Sequence, residues 1–150
     1  MIKKLKTYYL VRHAEKEDLN DPDTPISAIG RKRAVALKNT LQAKNIKNII
    51  VSQFIRTRQT AKPLEDALHI THTVIDVNNV PGVITRLEHF TNSLVVGHTN
   101  TIPAIIKRIT GRTVSIAEND FDNLFIITIT QFLFIKRKTL TKTTYGLASP

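Results

Sequence analysis

Short apolar blocks at Tyr8-Tyr9-Leu10-Val11, Asn48-Ile49-Ile50-Val51 and Ser93-Leu94-Val95-Val96 are separated by stretches with a helical period. Blocks this short, rich in aromatic and branched residues, read as buried strands. Between the first two, Ala34, Leu37, Leu41 and Ala43-Lys44 keep a helical period behind Ser27, an N-cap residue type. Parallel strands need a long crossover, usually a helix, so the alternation predicts an α/β chain with a largely parallel sheet.

The pattern places strands at Thr7–Val11, Asn48–Val51, Thr73–Val77 and Ser93–Val96. Glu15 to Pro25 reads as a polar loop turning at Asn20-Asp21-Pro22-Asp23. Ser52 is the expected cap of a helix from Phe54 to Leu68, with a kink or break at Pro63. Another helix runs from Pro81 to Phe90. A further one is capped by Asn100 or Thr101, has Pro103 in its first turn, and ends before Gly111. The tail changes character: Leu124–Thr130 and Phe132–Thr141 leave no room for a helix and read as an antiparallel hairpin or edge addition, protected by Lys136, Lys138 and Lys142. The predicted fold is a three-layer α/β/α sandwich, a mostly parallel sheet with antiparallel C-terminal strands, in one domain spanning 1–150.

The 150 residues suffice for one domain with a real core, and 41% hydrophobic with 23% charged residues is ordinary globular composition. No apolar run approaches the roughly 20 residues of a membrane helix. The chain has no Cys, which removes disulfides and thiolate zinc sites and fits a reducing compartment, so a cytoplasmic location is expected. The net charge of +10 admits nucleic acid, an anionic membrane surface or acidic small substrates. The clusters Lys3-Lys4, Arg31-Lys32-Arg33 and Lys136-Arg137-Lys138 are dispersed and read as solvated faces. No nucleic-acid motif accompanies them, and neither nucleic acid nor membrane is expected as a partner.

Arg12-His13-Ala14-Glu15 follows the first strand, Ser52 to Ala61 the second, and Gly97-His98-Thr99-Asn100 the later one. Open α/β sheets build their sites at these strand ends, so two His and at least two Arg are expected in one cleft. His is a competent nucleophile toward phosphorus, and Arg matches phosphate oxygens with a bidentate fork. Arg58, two residues from Arg56, faces elsewhere on its helix. His69 and His72 straddle a helix-to-strand turn and make a poor metal pair.

Arg12-His13-Ala14-Glu15 resembles the Arg-His-Gly motif of the histidine phosphatase superfamily, the phosphoglycerate mutase-like proteins. Ser52…Arg56…Gln59-Thr60-Ala61 is similar to that family's second-arginine motif, and Gly97-His98 to its second-histidine motif. The resemblance implies that His13 attacks phosphorus and becomes a transient phosphohistidine, with Arg12, Arg56 and His98 clamping the equatorial oxygens. Thr99 and Asn100 would join Arg12, Arg56 and His98 on the substrate. The cationic cluster takes the part of Mg²⁺ in other phosphoryl transferases, so no metal or other cofactor is expected.

The chain departs from the family at Ala14, where Gly is usual, and at Thr99, which replaces the acidic residue of acid phosphatases and phytases. The proton donor is open among Glu15, Glu17, Asp18, Asp23, Asp76 or none, and Glu15 is expected among the catalytic residues. No segment is long enough for a mutase lid, and a nitrogen leaving group demands little acid catalysis. The chain therefore resembles the short branch of bacterial phosphohistidine phosphatases. The expected substrate is phosphohistidine or another phosphorylated protein or small molecule. The alternatives are a non-catalytic phosphate-binding regulatory module and a small-molecule phosphatase or mutase-type enzyme.

Overall fold

The computed structural model describes residues 1–150. Its elements are β1 (Ile2–Arg12), α1 (Ala28–Leu41), β2 (Asn48–Val51), α2 (Ile55–Leu68), β3 (Thr73–Val74), α3 (Val80–Glu88), β4 (Asn92–Gly97), α4 (Thr101–Thr110), β5 (Asn123–Phe132) and β6 (Ile135–Thr144). The six strands form one sheet in the order β3-β2-β4-β1-β5-β6. β3, β2, β4 and β1 are parallel, and β5 and β6 are added antiparallel. No helix is long and apolar enough to cross a membrane.

Successive residues of a strand point to opposite faces, and both faces of this sheet are covered. Tyr8 and Leu10 pack with Val95 and Phe125 against Leu87 of α3 and Ile102 of α4. Tyr9 and Val11 pack with Ile49 and Val96 against Leu37 of α1 and Leu64 of α2. This two-sided burial is why Leu10-Val11, Ile49-Ile50 and Val95-Val96 are continuous apolar runs rather than alternating ones.

The helix ends follow local chemistry. Ser27 Oγ accepts from the Gly30 amide at 3.0 Å and Asn79 Oδ1 from the Gly82 amide at 3.0 Å, which start α1 and α3. α4 ends at Gly111 with φ 74°, a left-handed conformation that suits glycine.

Several expected boundaries move. β1 begins at Ile2 because pairing with β5, from Ile2 opposite Phe132 to Lys4 opposite Thr130, recruits lysines that carry no strand pattern of their own. β3 stops at Val74. Pro63 lies inside an unbroken α2, which begins after Phe54. Ser52 is not its cap residue: it lies two residues before the N-cap Phe54, and its hydroxyl accepts from the Phe54 amide at 3.3 Å while also meeting His98 Nε2. The last turn falls at Leu133-Phe134, with Phe132 opposite Ile135. Arg31 and Lys32 are exposed, as a solvated cluster requires, but Arg33 is buried.

Candidate active site

β1 and β4 are neighbours in register, Arg12 opposite Gly97, so their C-terminal ends deliver Arg12-His13 and His98 to the same place. The His13 amide donates to the Gly97 carbonyl at 2.8 Å, and the two imidazoles lie 5.3 Å apart between ring centroids. A Cβ on Gly97 would stand 2.7 Å from Thr101 Oγ1 and 2.9 Å from Ile102 Cδ1. A larger residue would have to push the Thr101 and Ile102 side chains aside, so glycine suits the close start of α4. The Thr101 hydroxyl in turn accepts from the His98 amide at 2.9 Å.

The second arginine comes from the first turn of α2. Thr60 Oγ1 donates to the Arg56 carbonyl at 2.7 Å and accepts from the Ala14 amide at 2.8 Å. One threonine thus ties the helix carrying Arg56 to the loop carrying His13. Ala14 fills its position without strain, its methyl buried against Ile26 and Ala34.

His13 has its tautomer set by this loop. Its Nδ1 donates to the Ala14 carbonyl at 2.8 Å, which leaves Nε2 unprotonated and free to attack. Burial, then the nearby His98, Arg12 and Arg56 charges, lower its pKa to about 3 against the opposing pull of the Ala14 hydrogen bond. His98 Nε2 is 2.8 Å from Ser52 Oγ, and burial followed by Arg56 and Arg12 lowers its pKa to about 4. Both imidazoles are neutral at physiological pH.

The arginines are braced from behind. Arg12 donates through Nη1 to the Glu118 and Asp120 carbonyls at 2.6 and 3.0 Å, and its guanidinium lies 3.9 Å over the Phe121 ring. Arg56 donates to the Pro22 carbonyl at 3.1 Å and lies 4.5 Å over Phe54. Burial lowers both pKa values below the ordinary guanidinium value, yet guanidinium remains charged at any working pH. Arg12 Nε and Arg56 Nε are buried and have no acceptor in the protein.

A cleft of about 390 Å³ opens here, lined by Arg12, His13, Arg56, His98, Thr99 and Asn100, with Lys16, Ile116 and Glu118 completing it. Every residue expected to touch substrate is on this wall. Glu15 is not: its carboxylate accepts from Arg33 Nε at 2.8 Å and from Nη2 at 3.0 Å. Of the other acid candidates, Asp18 and Asp23 cap backbone amides of Asn20 and Ile55, Glu17 is exposed, and Asp76 borders a small cavity behind His98. His72 pairs with Glu65, a carboxylate the sequence pattern did not bring near it, and His69 ends α2.

Lys16, Ile116, Glu118, Ser52 in its bond to His98, and the rings of Phe54 and Phe121 were not legible as site residues. Ile116, Glu118 and Phe121 come from the patternless segment between α4 and β5, and nothing in their spacing marks them.

Residues 8–78 match the model of the histidine phosphatase superfamily (branch 1), a stretch that holds Arg12, His13 and Arg56. Among solved structures, the chain is similar to mycobacterial hydrolase 2, with TM-score 0.78 at 13% identity over 97% of this chain and 94% of that one. It is similar to mycobacterial glucosyl-3-phosphoglycerate phosphatase complexed with VO3, with TM-score 0.76 at 13% identity over 94% and 100%. The protein histidine phosphatase SixA complexed with tungstate gives TM-score 0.68 at 19% identity over 92% and 96%. These identities establish a common fold. No curated protein matches the chain in sequence. The matched stretch holds the family's first two motifs, and over nearly its whole length the chain has the histidine phosphatase fold.

Proposed function

We propose that this chain is a metal-independent phosphatase, a single catalytic domain acting in the cytoplasm, that hydrolyses a phosphorylated substrate through a phosphohistidine on His13. The observation that carries the reading is the 2.8 Å hydrogen bond from His13 Nδ1 to the Ala14 carbonyl, which keeps Nε2 unprotonated beside Arg12, Arg56 and His98. In the first step Nε2 attacks phosphorus, the N–P bond forms, and the bond to the leaving group breaks. In the second, water attacks the phosphohistidine, phosphate departs, and His13 returns as a neutral imidazole. Arg12, Arg56 and His98 offset the charge on the equatorial oxygens in both transition states. Thr99 and Asn100 hold the substrate at the start of α4, whose N-terminal amides favour an anion.

For the substrate class we propose phosphohistidine or a related phosphoramidate. None of the carboxylates first considered as proton donor lines the cleft, and a nitrogen leaving group needs little help. Glu118, an exposed carboxylate on the cleft wall, favours a second reading, in which it protonates an alkoxide leaving group and the substrate is a phosphomonoester. Turnover of a phosphohistidine peptide and of an alkyl phosphate, each with Glu118→Gln, separates the two. A preference for the phosphoramidate that Glu118→Gln leaves intact supports the first. A preference for the ester, lost about 10²- to 10⁴-fold in the variant, supports the second.

A further inference from the structure

The cleft uses few of the chain's positive charges, and the remainder are unevenly placed. No Asp or Glu precedes Glu15, and none follows Asp122. Of the three adjacent strands β1, β5 and β6, none carries a carboxylate, and β1 and β6 carry lysine and arginine.

Strand pairing arranges the far end of this surface in rows. Ile2, Phe132 and Ile135 stand side by side across β1, β5 and β6. Behind them come Lys3, Gln131 and Lys136 on one face of the sheet, and Lys4, Thr130 and Arg137 on the other. The turn Leu133-Phe134 projects beyond the apolar row. Phe134 is 98% exposed, Leu133 69%, Ile135 68% and Ile2 71%. Tight turns are ordinarily made of Gly, Asn or Asp, and here Leu133 takes a positive φ of 55°. Folding gives no reason for a large apolar pair at that tip.

Charge complementarity selects the occupant. A second copy paired along the β6 edge would bring Lys136, Arg137, Lys138 and Lys142 against one another, which is repulsive. An anionic bilayer offers both halves of the match, an apolar layer for the tip and lipid phosphates for the rows behind it. We propose that the β5–β6 hairpin tip is a peripheral docking site for an anionic lipid bilayer, with Leu133 and Phe134 entering the interface. The expectation of no membrane partner rested on the lack of a spanning segment and on reading Lys136-Arg137-Lys138 as a solvated face; surface docking needs no spanning segment, and the exposed Leu133-Phe134 tip stands beside that cluster. Because β5 runs antiparallel to β1, the tip and the catalytic cleft lie at opposite ends of the sheet. Ten residues of strand at about 3.3 Å each separate Ile2 from Arg12, roughly 33 Å. The docked protein therefore keeps its cleft open to water, and its substrate arrives from solution.

Co-sedimentation of the whole chain with phosphatidylcholine vesicles, with and without phosphatidylserine, tests the proposal without reference to phosphatase activity. Binding should require phosphatidylserine and disappear at high salt. Phe134→Ser should weaken it about tenfold or more, and joint replacement of Lys136, Arg137 and Lys138 by Ala on the order of a hundredfold. Both variants should keep the melting curve and the p-nitrophenyl phosphate turnover of the parent. The proposal fails if phosphatidylserine vesicles leave the parent protein in the supernatant, or if Phe134→Ser binds them equally well. It also fails if Phe134→Ser instead dissolves a homodimer seen by light scattering, or if DNA or RNA binds tightly without using Phe134.

Discussion

Arg33 and Glu15 form a two-point ion pair, Nε to Oε1 at 2.8 Å and Nη2 to Oε2 at 3.0 Å, with the Arg33 side chain only 1% exposed. The same guanidinium donates to the Tyr145 carbonyl at 3.1 Å and the Leu147 carbonyl at 2.8 Å. Glu15 thus joins the loop after β1 and helix α1 to the chain's C-terminal segment, and its carboxylate is committed to that joint. Its amide-side neighbourhood is equally tight: the Glu15 carbonyl accepts from the Ser27 amide at 2.8 Å.

Glu15→Gln should therefore damage stability before chemistry. Leaving Arg33 charged and unmatched in a buried place costs about 3–5 kcal/mol. For a domain of this size that corresponds to a melting temperature lower by roughly 10 °C. Thermal melts and steady-state kinetics below the transition check this. A variant that melts normally but loses turnover would return Glu15 to the list of proton donors.

Arg12→Ala and Arg56→Ala should each lower kcat by about 10²- to 10³-fold, the usual loss when one charge-stabilising donor is removed from a transition state. Lysine should restore only part of the loss, since a point charge cannot replace the planar fork braced over Phe121 or Phe54. Vanadate affinity should fall in parallel with kcat/KM.

Ser52 acts through His98. Ser52→Ala removes the 2.8 Å bond to Nε2 and should lower kcat about tenfold with little change in KM, because it loosens a group that meets charge in the transition state. Ser52→Thr retains the hydroxyl and should recover activity. A loss of stability with kcat untouched would reduce Ser52 to a structural residue.

The two buried histidines give stability a pH dependence of definite sign. Both have native pKa values, about 3 and about 4, below the ordinary value near 6.5 of the unfolded chain. Between those limits the unfolded state binds protons that the native state refuses, so stability falls as pH falls. Each histidine contributes up to about 1.4 kcal/mol per pH unit in that window. Melting temperature should drop steadily from pH 6.5 toward 4, and His98→Gln should flatten the slope. A flat profile over that range would contradict the burial of neutral imidazoles.

What could be read from the sequence follows from how locally each feature is encoded. Strand β2, the start of α1, both ends of α4, and the meeting of Arg12, His13, Arg56 and His98 all depend on apolar runs, caps and the position of strand ends, which are local signals. Glu118, Ile116 and Phe121 reach the cleft from a segment without period, held there by Arg12 across the fold, so no nearby residue announces them. Arg33 looked like one of three neighbouring cations. Only the C-terminal carbonyls and Glu15, distant in sequence, make it a buried one. The start of β1 was hidden for a related reason: Lys3 and Lys4 become strand by pairing, not by propensity.

The central claim is that phosphorus passes through His13 Nε2. Brief mixing with a ³²P-labelled phosphorylated substrate, followed by alkaline denaturation and peptide mapping, tests it most directly. The account expects an acid-labile, base-stable label on the peptide containing His13, formed faster than steady-state turnover and absent from His13→Ala. Turnover by the parent protein with no label at any quench time, or a label that persists in His13→Ala, would contradict it.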